Sequence, residues 1–328
     1  ASLIALSDFH IVMSRSVLTD APLLFFLLLA VWVIVESLGW LDLRLAVAGG
    51  VATGLAWATK YNGWLPLAIA LSGTIAALIV ARKKLGPETV RPRDVVPLLL
   101  AVIVAAAVCW SPVWLDLQDV GGYSRVAENH KQYVVGPSGW IDSAIRHETV
   151  QRHYAGWSTL LSAWIAALAA GLVSRANRSP WNSTEAAAGS TGNDLSFPAT
   201  VMIAGTLSGA IILSPLIVLL VWSLTEFAAL IFERRHRLDR KAGTRVLANA
   251  ATRATTEADA ELARCWKQWF AVWLCLAWLC GLLLTTPLYQ PYPRLLLPLL
   301  GVSWLGTGAA IARLIVVYGT ARSRSQTS

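Results

Sequence analysis

The stretch Ser14-Arg15-Ser16-Val17-Leu18-Thr19-Asp20-Ala21-Pro22 opens onto an apolar run over residues 21–38. A second string, Ala58-Thr59-Lys60-Tyr61-Asn62-Gly63, separates the apolar runs 45–58 and 64–81. Runs of this kind set the fold class: a bilayer core of about 30 Å needs roughly 20 apolar residues in a helix. Further runs cover residues 95–114, 200–232, 269–286 and 295–318. The expected architecture is therefore all-α, a polytopic membrane helical bundle of about seven spans with an outer-face loop region. Run 45–58 is short for a span, and Pro215 is expected to kink the long run 200–232.

Bulk composition agrees. Of 328 residues, 56% are hydrophobic and only 14% charged, with a mean hydropathy of +0.57, beyond the range of ordinary soluble domains. The net charge of +8 is carried by short clusters beside apolar runs. That placement fits topology determination and contact with anionic membrane lipids. It lacks the basic stripe interleaved with aromatics that a nucleic-acid binder needs, so nucleic acid is not an expected partner. The cysteines at 109, 265, 275 and 280 have no paired spacing and read as helix-packing residues. Tryptophans such as Trp40, Trp57, Trp64, Trp110, Trp114 and Trp304 fall near run ends, as in an interfacial belt.

Sidedness follows from the basic clusters. Arg82-Lys83-Lys84 with Arg91 and Arg93 marks one cytoplasmic loop, and Arg234-Arg235-His236-Arg237 with Arg240, Lys241 and Arg245 marks another. Both lie inside if the apolar stretch 160–173 rests along the interface or re-enters instead of crossing. On that arrangement residues 8–20, 60–63, 116–158 and 285–294 share the outer face. The organisation expected is N-terminal membrane helices over 1–114, an outer segment over 115–198, and C-terminal membrane helices over 199–328 with a cytoplasmic loop at 233–267. Residues 174–197 read as a flexible outer connection, and residues 242–261 as a helical cytoplasmic excursion.

Charged groups at membrane boundaries point to function. Asp20 precedes Ala21-Pro22, so it reads either as a helix N-cap or as a carboxylate that binds a divalent cation or orders a phosphate-binding group. Arg15 is a snorkelling arginine or a bidentate phosphate ligand. Lys60, in a tight polar turn, suits a point-charge role toward phosphate or carboxylate. His130, His147 and Glu148 lie in the outer segment. The string His147-Glu148-Thr149-Val150-Gln151-Arg152-His153 spaces its histidines six apart, whereas the zinc-protease motif needs four; one of the histidines could join Asp20 at a metal. The segment Thr285 to Arg294, with its prolines, is expected to form a stiff turn presenting Tyr289, Tyr292 and Arg294.

Taken in order, Ser14-Arg15-Ser16-x-Leu18-x-Asp20-Ala21-Pro22-Leu23, Gly54-Leu55-Ala56-x-x-Thr59-Lys60-Tyr61-x-Gly63 and Pro293-Arg294-x-Leu296-Leu297-Pro298 resemble the family 39 type of membrane glycosyltransferase. That group includes protein mannosyltransferases and aminoarabinose transferases. The resemblance implies a GT-C-type helical bundle and a polyprenyl-phosphate sugar donor. It also implies inversion at the anomeric carbon and a lipid, glycan or protein acceptor. By the same analogy Lys60 holds the donor phosphate, with Arg15, Arg294 and Tyr61 beside it, and Asp20 takes the metal- or phosphate-binding position. The family's catalytic acid lies in a first outer loop that would precede Ala1, so the chain reads as lacking its N-terminal part. Asp8 and Glu148 are the candidates within it. The implied setting is a bacterial inner membrane with the site facing the periplasm. A transporter or flippase of a lipid-linked anion is the alternative, although no inverted repeat is evident.

Overall fold

The computed structural model describes residues 19–85, 92–154 and 255–306, with scattered positions between 220 and 231 and at 308, 309 and 312. Its helices are α1 (Asp20–Trp40), α2 (Leu43–Thr59), α3 (Leu65–Leu85), α4 (Pro92–Asp119), α5 (Gly122–Lys131), α6 (Trp140–Tyr154) and α7 (Thr255–Thr285), followed by α8 (Leu297–Gly306). Four of them, α1, α3, α4 and α7, contain stretches long and apolar enough to cross a membrane. Helix α2, with 17 residues, is about 25 Å long, and α8 is shorter still. The all-helical bundle is thus established among the described residues. The expected segments 160–173 and 174–197, most of run 200–232, and nearly all of run 295–318 beyond residue 306 lie outside them.

Helices α1 and α2 form a hairpin with a compact corner. Leu41 adopts a left-handed conformation (φ 54°), which lets the following Asp42 N–H reach back to the Ser37 carbonyl at 3.1 Å. The Ser37 hydroxyl donates to the Asp42 carbonyl at 3.0 Å. Asp42 then caps α2, its Oδ1 accepting from the N–H groups of Arg44 (2.7 Å) and Leu45 (3.4 Å). A serine and an aspartate thus satisfy backbone groups that would otherwise be orphaned at the corner.

Small residues hold α2 between its neighbours. A Cβ at Gly49 would collide with Ile34 of α1, and one at Gly50 or Gly54 with Val102, Ala105, Ala106 or Cys109 of α4. In lipid the hydrophobic effect gives little drive for helices to meet, so close backbone approach through a Gly-x-x-x-Gly pair supplies the contact. Cys109 packs here, as its sequence setting implied, and the four cysteines are free thiols. On the other side, α7 lies antiparallel to α1 and α3. Gly73 of α3 admits Leu274, and Gly39 of α1 admits Lys267. Leu27, Ile34, Leu38, Trp269, Phe270, Leu274 and Trp278 form the sealed centre. Phe25, Ile75, Ile79, Leu100, Val104 and Val108 point outward, where acyl chains would replace a protein partner.

Three details depart from the sequence reading. Helix α4 runs through Pro97 and Pro112 to Asp119, so the polar segment starts at residue 120, beyond the end of the apolar letters. A helix can leave the apolar zone without unwinding once water satisfies its exposed carbonyls. Trp304 sits in the core with Trp269 and Trp278 and takes no part in an interfacial belt. Finally, α7 is one helix from Thr255, so the expected excursion at 242–261 merges at its end with the membrane helix.

Candidate functional site at the Lys60 end of the bundle

The alternating directions of the helices bring the start of α1, the ends of α2, α4 and α7, and the helices α5 and α6 to one end of the bundle. There Lys60 Nζ forms an ion pair with Asp20 Oδ1. Both partners are supplied by helix ends. Asp20 occupies the first turn of α1, where the macrodipole favours a carboxylate. Its side chain does not cap the helix: Thr19 is the N-cap and makes no side-chain cap bond. The N-cap reading of Asp20 is therefore replaced by a cross-helix ion pair. The second oxygen of Asp20, Oδ2, is buried and has no hydrogen-bond partner among the described residues. Lys60 is the C-cap of α2, with extended backbone and its N–H on the Ala56 carbonyl. It does not snorkel outward; its ammonium turns to α1.

The turn after Lys60 is tight. Gly63 N–H donates to the Lys60 carbonyl at 2.8 Å, and a Cβ at Gly63 would strike the Ala56 carbonyl and the Trp57 backbone. Only glycine fits beneath this turn. Around it stands a group of aromatic side chains. Trp57 stacks on Trp110 (centroids 4.2 Å apart, 11° between planes), and Trp110 meets the Tyr123 ring edge-on at 5.6 Å. Tyr61 lies 4.0 Å from the His130 ring. His130 neighbours Tyr133 at 6.2 Å, and Tyr133 neighbours Tyr292 at 5.6 Å.

The segment after α4 is fastened to the segment after α7. Val134 and Tyr289 form an antiparallel bridge, with Val135 N–H on the Leu288 carbonyl (2.7 Å) and Gln290 N–H on the Tyr133 carbonyl (2.8 Å). From α6, the Ser143 hydroxyl donates to the Tyr289 carbonyl (2.8 Å). His147 Nε2 lies 3.1 Å from that same oxygen, and Trp140 Nε1 donates to the Leu284 carbonyl (2.8 Å). Nδ1 of His147 is buried and makes no close hydrogen bond among the described residues. Burial depresses the His147 pKa below the ordinary value of 6.5, outweighing the opposing pull of the Tyr289 and Thr286 backbone. The proline-bearing segment forms short 3₁₀ turns at Thr286–Leu288 and Pro293–Leu296 flanking an extended Tyr289, in place of the one extended turn expected.

Of the residues singled out from sequence, the structure joins Asp20 and Lys60 directly and sets Tyr61, the next residue of the turn, against the ring of His130 from α5. Glu148 lies on α6 next to His147, and Arg294 in the Pro293–Leu296 turn, its side chain outside the described set. Asp8 and Arg15 also lie outside the described residues. Among those residues no group of three or more His, Cys, Asp or Glu side chains converges as a metal site. His147 is engaged with Tyr289, and His130 Nδ1 lies 2.6 Å from the Val126 carbonyl. The residues missed by sequence reasoning are Trp57, Trp110 and Tyr123. Their signal was present in outline: aromatic residues at the ends of apolar runs at this face.

These features define a helical integral membrane protein with charged and aromatic groups gathered at one mouth of its bundle. Residues 1–117 match the family model described as dolichyl-phosphate-mannose-protein mannosyltransferase, a match that covers α1 and α2 and hence Asp20, Lys60 and Tyr61. It agrees with the resemblance read from the first two motifs. The third motif, at Pro293, lies beyond the matched residues. No curated protein and no solved structure gives a significant match to the chain.

Proposed function

We propose that this chain belongs to an enzyme that moves a sugar from a polyprenyl phosphate to a lipid, glycan or protein acceptor at the outer, periplasmic face of a bacterial inner membrane. One observation carries the reading. A lysine at the mouth of the bundle is held by a buried carboxylate within the segment that matches the mannosyltransferase family.

In such a transfer the acceptor hydroxyl attacks the anomeric carbon from the face opposite the phosphate. A carboxylate takes the hydroxyl proton, the bond from the anomeric carbon to the phosphate oxygen breaks, and the lipid phosphate departs with the bonding pair. Lys60 is the group suited to balance the charge that grows on that phosphate, because a compact ammonium in a poorly solvated mouth acts strongly on a developing anion. Asp20 aims the ammonium until phosphate arrives. Arg15 and Arg294 are proposed to assist, with Asp8 and Glu148 as the candidates for the base within this chain. A divalent metal at Asp20, with His130 or His147, belongs to the same proposal only through Oδ2, since Oδ1 is taken by Lys60.

The test is transfer of labelled sugar from polyprenyl phosphate by the full-length protein in liposomes. Turnover that disappears in Lys60→Ala while the protein stays folded supports the reading; unchanged turnover removes Lys60 from the site. Flipping of the labelled lipid without transfer would instead favour a translocation role.

A further inference from the structure

The turn that presents Lys60 is fixed from outside the two helices it joins. Trp57 Nε1 donates to the Tyr123 hydroxyl at 2.7 Å, and that hydroxyl donates onward to the Tyr61 carbonyl at 3.3 Å. Tyr123 belongs to α5, the first helix of the polar segment, whereas Tyr61 is the residue after Lys60. The ring of Tyr123 is seated edge-on against Trp110, which stacks in turn on Trp57. One hydroxyl thus links α2, α5 and the Lys60 turn, and the surrounding rings fix its position. Donor-to-acceptor relays of this kind polarise and reinforce one another away from bulk water.

The local bonds of the turn set its shape but not its attitude to the bundle axis. The Lys60 N–H to Ala56 carbonyl bond and the Gly63 N–H to Lys60 carbonyl bond close it on itself. Rotation of the turn as a body is resisted by what grips it from across the mouth, and the Tyr123 hydroxyl is such a grip. We infer that Tyr123 is a positioning residue: through the Tyr61 carbonyl it holds the Lys60 turn at the angle that delivers the ammonium to a lipid-linked phosphate. The inference rests on the reading of Lys60 as the phosphate ligand. It implies that the polar segment acts on donor affinity without touching the donor.

Tyr123→Phe is a clean probe, because it keeps the ring contacts with Trp110 and removes only the hydroxyl. Binding of polyprenyl phosphate, without sugar, is measured on the full-length protein in nanodiscs for wild type, Tyr123→Phe, Lys60→Gln and the double variant. Tyr123→Phe is expected to weaken binding about three- to tenfold, the range one hydrogen bond commands. Lys60→Gln is expected to weaken it more, and the double variant to bind no worse than Lys60→Gln alone. That non-additivity is the signature of action through Lys60; a merely structural loss would add to the lysine's effect. Wild-type affinity in Tyr123→Phe, or full additivity in the double variant, overturns the inference and leaves the phosphate reading standing. Unchanged binding in Lys60→Gln overturns both. Trp57→Phe, which leaves the hydroxyl free to reach Tyr61, is expected to fall between wild type and Tyr123→Phe, and a loss beyond that of Tyr123→Phe counts against the relay.

Discussion

Helix α1 carries an ion pair at each end, and the two are built differently. Near its start, Asp20 and Lys60 have side chains only 5% and 13% exposed, and one Asp20 oxygen has no partner among the described residues. Near its other end, Glu36 pairs with Lys267 at 18% and 35% exposure. There both Glu36 oxygens are engaged, Oε1 also accepting from Trp32 Nε1 and Oε2 from Trp40 Nε1, each at 3.2 Å. The Glu36 end is saturated and wetter, and it ties α7 to α1. The Asp20 end is drier and under-satisfied. A buried pair with an idle oxygen is a costly way to join two helices, and that cost makes sense where a ligand is to share the charge.

Removing Lys60 breaks the comparison most severely. Lys60→Ala is expected to lower sugar transfer by about 100-fold or more, as loss of a transition-state charge partner does. It should also lower resistance to unfolding by about 3 kcal/mol, because Asp20 is left buried and unpaired. Asp20→Asn separates the two effects. Stability should again drop, by about 2–3 kcal/mol, since the ammonium keeps no counter-charge. Donor phosphate should still bind, because Lys60 remains free to meet it. Donor-lipid binding and a detergent or thermal unfolding curve on the same preparations check both. If Asp20→Asn abolished donor binding, Asp20 would be a direct ligand instead of the lysine's support.

Much of this end was legible in the sequence, and the reasons are physical. Apolar runs of span length, charged groups at their edges, and Gly63 after a polar turn each constrain structure locally, so α1, α2, α3, α4 and α7 emerge from pattern alone. What did not emerge depends on helix rotation. Asp20 has the same letters around it whether it caps α1 or crosses to α2; only the close packing of Gly49 against Ile34 settles that the two helix ends meet. The Gly50-x-x-x-Gly54 pair was readable but carries no partner identity until α4 is docked on it. The aromatic group was opaque for a similar reason. Trp57, Trp110 and Tyr123 are spread over 66 positions, and each by itself reads as an interfacial anchor. Glu36 passed unnoticed because a lone acid near a helix end resembles a boundary marker.

Glu36→Gln tests the quiet half of the comparison. The amide keeps an acceptor for one tryptophan N–H and loses only the charge shared with a partly exposed lysine. Stability is expected to fall by no more than about 1 kcal/mol, reduced further by salt, with donor binding and sugar transfer unchanged. A large loss of turnover would show that the two ends are coupled along α1, and the contrast drawn between them would fail.

The smallest expected effect concerns pH and again distinguishes the ends, since it arises from α6, which packs at the Lys60 end alone. His147 contacts the Tyr289 carbonyl, its other nitrogen is buried without a close hydrogen bond among the described residues, and burial depresses its pKa in the folded state. The unfolded or undocked histidine takes up its proton first, near pH 6.5. Docking of α6 is therefore at full strength above that value and weakens as pH falls below it, until the folded histidine also protonates. Protection of the α6 backbone amides in membranes, with exchange corrected for the pH dependence of its intrinsic rate, should fall on the acid side between pH 8 and pH 5. In His147→Gln, where nothing at that position titrates, the histidine's share of that acid loss of protection should vanish. Exchange in α1 around Glu36 should show no such dependence on residue 147. Equal acid sensitivity in the wild type and His147→Gln would show that another group governs the docking of α6.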